Sequence, residues 1–336
     1  MSLPTAPLGH DGPQVTRLGL GLMGLSAFYG AAKPDPERLA VLDRAHELGE
    51  RFWDSSDAYG DSEDLLGKWF KSNPDKRNDI FLATKFAFGK GMGIVDSSPE
   101  FTKESCDKSL KRLGIEQIDL YYCHRVDQKT PIEKTVDAMV QLKKEGKIKY
   151  LGLSEVSSDT LRRAHKVHPI SAVQVEYSPF ALEIESEQIN LLKTCRELGV
   201  AVVAYSPLNR GMMTGAFKSP ADFEEGDFRK FAPRFAAENF PKNLKLVDRI
   251  AQIAEKKGVT SAQLTLAWLL AQGDDIFPIP GTTKISRLEE NVGSLKLRLS
   301  KEEEEEFRKA CNEAEISGAR YPEAFMSSCY ADTPPL

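Results

Sequence analysis

The stretch RFWDSSDAYGDSEDLLG, Arg51 to Gly67, changes character twice within a short span. Arg51 to Asp54 is too short for a helix and rich in aromatics, which is the composition of a strand. A polar loop carrying Tyr59 follows. Asp61, with an acid three residues on at Asp64, has the form of a helix N-cap, and Leu65, Leu66 and Trp69 then supply a helical apolar face. Asp54 therefore stands at the carboxyl end of a strand, with Tyr59 in the loop above it. Taken alone, the two residues read as a turn cap and a half-buried aromatic.

Two further strand-like runs change that balance. IFLATK ends in Lys85 and IDLYYCH ends in His124. A lysine that closes an apolar run is not an ordinary surface lysine. A carboxylate, a phenol, an amine and an imidazole delivered to one end of a parallel sheet are the parts of a proton-transfer site.

The same strand-then-helix order runs through the whole chain. After a hairpin turned at His10 to Pro13, the strand candidates are TRLGLG (Thr16 to Gly21), RFWD, IFLATK, IDLYYC, KYLGLS (Lys149 to Ser154), AVQVEY, VAVVAYS and IFPIPG. Helical faces lie between them, lined in turn by Leu39, Leu42 and Ala45; by Leu110 and Leu113; by Ile132, Val136, Met139 and Leu142; and by Ile189, Leu192 and Cys195. Eight such repeats without a composition break predict a (β/α)8 TIM barrel, an α/β fold, as a single domain over 1–336 with its core in 16–314. AVQVEY and VAVVAYS are apolar on both faces, as strands between a barrel interior and a helix ring must be. Pro207 to Pro241, rich in proline, glycine and phenylalanine and without a period, is expected to be a lid loop. The tail 315–336 either covers part of the mouth or is disordered.

Composition narrows the partners. A chain of 336 residues, 41% of them hydrophobic, can bury a sizeable core. A net charge of -5 and a pI near 5.7 give no field that attracts nucleic acid or an anionic membrane. No apolar run is long enough for a membrane span, and MSLPTAPLGHDG lacks the pattern of a secretion signal, so a cytoplasmic protein is expected. Cys106, Cys123, Cys195, Cys311 and Cys329 are scattered, which argues for reduced thiols and against a zinc site. His165 and His168 lack ligand-spaced partners, and no metal is expected. Gly19, Gly21 and Gly24 spell G-x-G-x-x-G, but Pro34 and Pro36 delay the helix that a Rossmann phosphate site requires. These glycines are expected instead to let backbone approach closely at the barrel mouth.

The ordered set DSSDAYG, LATK with Lys85, YYCHR with His124, GLSE at Gly152 to Glu155, Gln174, YSPLNRG from Tyr205 and IPGTTKISRLEEN from Ile279 closely resembles the aldo-keto reductase superfamily over nearly the whole chain. The GLSE, YSPLNRGMMTG and IPGTTK forms resemble the branch that holds perakine reductase and other plant and microbial reductases. The resemblance implies a catalytic tetrad of Asp54, Tyr59, Lys85 and His124. Hydride arriving at a carbonyl carbon leaves charge on oxygen, so a proton donor must be aimed there. Tyr59 is the implied donor. Lys85 is expected to lower its pKa, Asp54 to pair with Lys85, and His124 to hold the carbonyl oxygen.

The resemblance also implies NADPH or NADP+ lying across the mouth. By that resemblance Ser154 and Gln174 would hold its carboxamide, Tyr205 would stack on the nicotinamide, and Ser206, Leu208, Asn209 and Arg210 would line the pyrophosphate. Gly281, Thr282, Lys284, Arg287, Glu290 and Asn291 would surround the adenosine end. Glu155 stands where many relatives have Asn, and Lys284 is expected to stand in for a lysine that many carry at the Gly281 position. The other reading of Lys284 and Arg287 is a solvated helix start. Phe28 and Tyr29, Phe86 and Phe88, and Pro179 and Phe180 read as apolar walls of a substrate cleft, with Arg125 as the cation nearby. The expected substrate is a small-molecule carbonyl, aromatic and medium-chain aldehydes before free sugars. The competing reading is a cofactor-holding regulatory module like the potassium-channel β subunits; a non-redox barrel enzyme is the third, since fold alone does not fix function.

Overall fold

A computed structural model describes residues 2–88 and 93–336. Strands β1 (Thr5–Pro7) and β2 (Gln14–Thr16) form the antiparallel hairpin. Eight parallel strands follow: β3 (Leu20–Gly21), β4 (Phe52–Asp54), β5 (Phe81–Phe86), β6 (Ile118–Cys123), β7 (Ile148–Ser154), β8 (Ala172–Glu176), β9 (Ala201–Tyr205) and β10 (Ile276–Pro278), each paired with its sequence neighbour. The two ends meet. Gly19 N donates to Pro278 O at 3.0 Å, Gly21 N donates to Pro280 O at 3.2 Å, and Gly21 bridges Gly281, which closes the sheet into a (β/α)8 barrel. This seam accounts for Gly19 and Gly21, whereas Gly24 lies in a short helix against the Tyr29 ring. A Cβ on Gly21 would lie 2.7 Å from Ile279 O, and one on Gly281 would lie 2.6 Å from Gly21 O.

The strand period of two separates inside from outside. Phe52, Ala83, Leu120, Tyr122, Ala172, Ala201, Val203 and Phe277 form an inner cluster, stopped at the amino end by Ala6, Leu8 and Val15 of the hairpin. Their neighbours Trp53, Leu82, Tyr121, Leu151, Val173, Val202 and Ile276 point outward into a second core shared with the helices. Among these, α1 (Met23–Ser26), α2 (Asp35–Leu48), α3 (Ser62–Ser72), α4 (Pro99–Leu113), α5 (Ile132–Lys144), α6 (Ser158–Val167) and α7 (Leu191–Leu198) precede β9. The later ones are α8 (Phe240–Lys257), α9 (Ser261–Ala271), α10 (Ile285–Gly293), α11 (Lys301–Asn312) and, in the tail, the single turn α12 (Glu323–Met326). Helix α4 illustrates the local logic: Ser98 Oγ accepts from Phe101 N, Pro99 opens the first turn, and Gly114 at φ 64 ends it. Among the described residues no helix is long and apolar enough to cross a membrane.

Several expectations change here. The first barrel strand is Leu20–Gly21 and not Thr16–Gly21, because Thr16 is held in the hairpin opposite Thr5. Asp61 precedes α3 but caps nothing: its carboxylate accepts two hydrogen bonds from Arg38, at 2.7 and 2.8 Å. That pairing holds its pKa down at about 2. The segment 207–241 is ordered into short 3-10 turns over Asn209–Thr214, Pro220–Asp222, Phe228–Phe231 and Pro233–Phe235, and it runs directly into α8. The tail crosses the mouth: Ala331 pairs with Val156, and Thr333 Oγ1 accepts from Ile132 N at the start of α5.

Candidate active site

The inward positions that are apolar deep in the barrel become ionisable at its carboxyl end. Asp54 continues the inner face from Phe52, Lys85 that from Ala83, His124 that from Tyr122, Ser154 that from Gly152, Gln174 and Glu176 that from Ala172, and Tyr205 that from Val203. Lys85 Nζ donates to Asp54 Oδ1 at 2.5 Å, to Ser55 O at 2.7 Å and to Tyr59 OH at 3.3 Å. Gln174 Nε2 donates to the other Asp54 oxygen at 2.7 Å. Lys85 is fully buried and Asp54 is 2% exposed, whereas Tyr59 and His124, each 9% exposed, form the upper layer. Their rings meet edge to face at 5.7 Å, and His124 Nδ1 lies 3.1 Å from Ser56 Oγ. The four residues of the expected tetrad are thus brought together.

Burial and pairing set their charges. Burial pulls the Lys85 pKa down, but the Asp54 carboxylate and the Tyr59 hydroxyl outweigh it and hold the amine above its ordinary value. Burial lifts the Asp54 carboxyl, opposed by Lys85 and Gln174; with a donor on each oxygen the pair is an ion pair. His124 is held well below its ordinary value by burial first, then by Lys85 and Arg125, so its imidazole is neutral. The Tyr59 phenol departs from expectation. Lys85 does act to lower its pKa, but burial and Asp54 act the other way and the net shift is upward.

Around this set lies a second buried charge network. Arg320, in the tail, grips Glu155 with both terminal nitrogens at 2.9 and 2.6 Å, and Tyr205 OH donates to the same carboxylate at 2.8 Å. Glu176 N adds a fourth donor at 3.2 Å. Glu155 is therefore an anchor for the tail, committed to protein partners on both oxygens. Burial works against its charge, but Arg320 and Arg125 outweigh it and hold its carboxyl below the usual range. Glu176 lies 3.1 Å from Arg234 and 3.5 Å from Arg210. Arg210 donates to Arg320 O at 2.7 Å and lies over the rings of Tyr321 and Phe228. Arg125 donates to His124 O at 2.7 Å and to Ser154 Oγ at 3.1 Å. In this network Arg125, Arg210, Arg234 and Arg320 face Glu155 and Glu176, an excess of positive charge under the mouth. Glu176 follows the same strand-end rule as Lys85 and had that signal in AVQVEY. Arg320 and Tyr321 had none beyond an Arg-Tyr pair in an irregular tail.

The remaining expected residues fall into three groups. Ser206, Asn209 and Arg210 have φ of 49, 46 and 53, so the loop after β9 curls back on itself, with Leu208 buried within it. At the start of α10, Lys284 is exposed and its N–H donates to Thr282 Oγ1; Arg287 pairs with Glu290 at 2.7 Å, and Asn291 is buried. Gly281 lies in the seam. Of the apolar walls, Phe28 meets Tyr59 edge-on at 6.4 Å and Phe88 meets His124 at 4.9 Å, both half-buried at the mouth. Tyr29 lies under Arg229, and burial pushes its phenol up to about 12. Phe86 is not at the mouth: it follows inward Lys85, so it points outward, fully buried and stacked on Tyr121 at 4.9 Å. Phe180, 3% exposed, belongs to the outer core as well. A separate cavity of about 860 Å³ opens beside α3 and α4; Arg77 and Lys149 in its wall both pair with Asp119, and none of the expected site residues lines it. Among the described residues no cluster could hold a metal ion.

A closed parallel barrel whose carboxyl mouth carries buried ionisable groups is the architecture of a barrel enzyme. The chain belongs to the aldo/keto reductase family, whose model matches residues 17–312. It is 54% identical to aldo-keto reductase str7 of Strobilurus tenacellus over all of this chain and 99% of that protein. It is 52% identical to the aldo-keto reductase yakc [NADP(+)] of Schizosaccharomyces pombe, with the same coverage. Among solved structures, a glycerol dehydrogenase of Gluconobacter oxydans superposes with a TM-score of 0.80 at 26% identity, over 100% of this chain and 99% of that one. A thermostable aldo-keto reductase in complex with the inhibitor epalrestat superposes with a TM-score of 0.74 at 28% identity, over 92% and 100%.

Proposed function

We propose that this protein reduces aldehydes and ketones to alcohols with NADPH, and that Tyr59 is the general acid. The observation that carries this reading is the contact of Tyr59 OH with the Lys85–Asp54 ion pair at the barrel mouth, beside a neutral His124. The mouth fits a dinucleotide. Its buried guanidinium excess matches a pyrophosphate, the curled loop Ser206 to Gly211 can approach it through backbone, and Lys284 with Arg287 lies where α10 begins. The NADP(+) in the name of the 52% identical yeast relative supports the phosphorylated cofactor.

The reduced nicotinamide supplies the hydride. The chain's own residues act on the oxygen. His124 orients the carbonyl, and Tyr59 delivers a proton as negative charge develops there. Lys85, fixed by Asp54, stabilises the phenolate that remains. An ammonium so placed contributes most when the phenol loses its proton, even though burial keeps the resting phenol protonated. Phe28 and Phe88 beside the site favour aromatic and medium-chain aldehydes over free sugars, whose hydroxyls would each lose roughly 1 to 3 kcal/mol if left unpaired.

Tyr59→Phe tests the assignment through turnover and cofactor titration. The expected loss is roughly 10² to 10⁴ in kcat with cofactor affinity nearly unchanged. A variant that kept more than about a tenth of wild-type kcat would remove Tyr59 from the general-acid role.

A further inference from the structure

Ser56, two residues after Asp54, is fully buried and its hydroxyl stands between two titratable groups. Oγ lies 3.1 Å from His124 Nδ1 and 3.2 Å from Asp57 Oδ1, and it accepts from Ala58 N at 3.2 Å. A hydroxyl has one proton and two acceptor sites. Ala58 N takes one acceptor site, so the proton and the single remaining site must be divided between His124 and Asp57. One of the two receives the Ser56 proton and the other must donate to Oγ.

We propose that Ser56 and Asp57 act as positioning residues that set the tautomer of His124, presenting Nε2–H to the substrate oxygen when Asp57 is protonated and a bare Nε2 when it is ionised. The proposal rests on the reading of His124 as the group that holds the carbonyl. With Asp57 protonated, its O–H donates to Oγ, Oγ–H donates to Nδ1, and the ring proton sits on Nε2. With Asp57 ionised, Oγ–H turns to the carboxylate, Nδ1–H donates to Oγ, and Nε2 is an acceptor. One proton separates the states: Asp57 passes its own to Oγ, Oγ passes its own to Nδ1, and Nε2 releases one to solvent. Nε2–H suits a carbonyl, which needs a donor. Bare Nε2 suits an alcohol O–H, which needs an acceptor.

The surroundings place the switch in the working range. Burial first, then Glu63 on α3, raise the Asp57 carboxyl to about 7, against Ser56, Ala58 N and Arg112 on α4. Lys85 on β5, whose carbonyl accepts from Asp57 N at 3.1 Å, and Tyr121 on β6 also face it. His124 faces Lys85 and Arg125, which with burial keep the ring neutral, so the tautomer and not the charge is what changes.

The test combines nitrogen NMR of the His124 ring in the cofactor-free protein with pH profiles of kcat/KM in both directions. In the wild type, the protonated ring nitrogen should change from Nε2 to Nδ1 as pH rises through about 7, and reduction should fall up to about tenfold per pH unit above it while oxidation gains. Asp57→Asn should remove both the NMR transition and the inflection near 7; Ser56→Ala, which cuts the link to His124 while keeping the Asp57 carboxyl in place, should do the same. A wild-type ring that keeps one tautomer from about pH 5.5 to 8.5, or an Asp57→Asn variant with an unmoved inflection, would overturn the proposal. The NMR result stands whatever Tyr59→Phe does to turnover, so failure of the relay and failure of the tetrad reading are told apart.

Discussion

At its amino end the barrel is stopped by Ala6, Leu8 and Val15, packed beneath Phe52, Ala172 and Phe277; at its carboxyl end the same inward rows finish in Asp54, Lys85, His124, Gln174 and Glu176, all likewise buried. One end gains free energy from apolar burial, and the other costs several kcal/mol per buried ion before pairing offsets it. The mouth is tolerable because each of these buried carboxylates has a cation, Lys85 on Asp54, Arg320 on Glu155 and Arg234 on Glu176, and the excess guanidiniums Arg125 and Arg210 donate to the carbonyls of His124 and Arg320. On the proposed reading the chemistry lies at the end where burial is costly, opposite the apolar stop on the same strands. The two ends should respond differently to substitution.

The largest effect is expected at the mouth. Lys85→Met leaves the Asp54 carboxylate buried with only Gln174 as side-chain donor, and should cost roughly 3–5 kcal/mol of stability as well as at least about 10²-fold in kcat. Adding Asp54→Asn should return most of the stability and none of the rate. Denaturant titration and turnover of both variants check this, and a double variant that regained activity would break the contrast.

Next comes Leu8→Ala at the amino end. The side chain is fully buried, so the loss should be roughly 2–5 kcal/mol, with kcat at moderate temperature unchanged. A fall in kcat of the folded variant would mean that the plug also shapes the mouth.

The smallest effect, read per pH unit, concerns the exception at the amino end. Glu50, just before β4, is buried with no hydrogen-bond partner on either carboxylate oxygen, and burial raises it to about 8. Its folded pKa lies above the unfolded value of about 4.3, so its contribution is intact below that and is lost as pH rises through about 8. Wild-type stability should fall by at most about 1.4 kcal/mol per pH unit across this window, and Glu50→Gln should flatten the dependence. Equal slopes in the two proteins would mean that Glu50 finds a partner in solution.

What could be read in the sequence follows from which interactions are local. Asp54, Lys85 and His124 were legible because each ends an apolar run, and the eight repeats around them give the barrel. Phe86 was misread because adjacency was counted as proximity, and one step along a strand reverses the side chain. The Asp61 cap was outbid by Arg38, a contact across two elements that no local pattern announces. Glu155 looked like a departure at the cofactor; its partner Arg320 lies far along the chain, in a tail without periodicity, so its part in the mouth emerges only from the fold. Lys85 acts on the Tyr59 phenol in the expected direction, but the net shift is upward, since burial at that depth cannot be read from residue order.

The glycine seam carries a consequence for how the molecule is made. Gly21 meets Gly281, so one of the first barrel segments to leave the ribosome waits for one of the last. Until then the growing sheet has two raw edges, β3 on one side and the newest strand on the other, each with unpaired backbone groups able to recruit another chain. Loop-closure entropy grows only slowly with length, so the delay costs exposure time more than it costs free energy. The hazard therefore belongs to synthesis and refolding, and it ends when β10 arrives and the ring is closed.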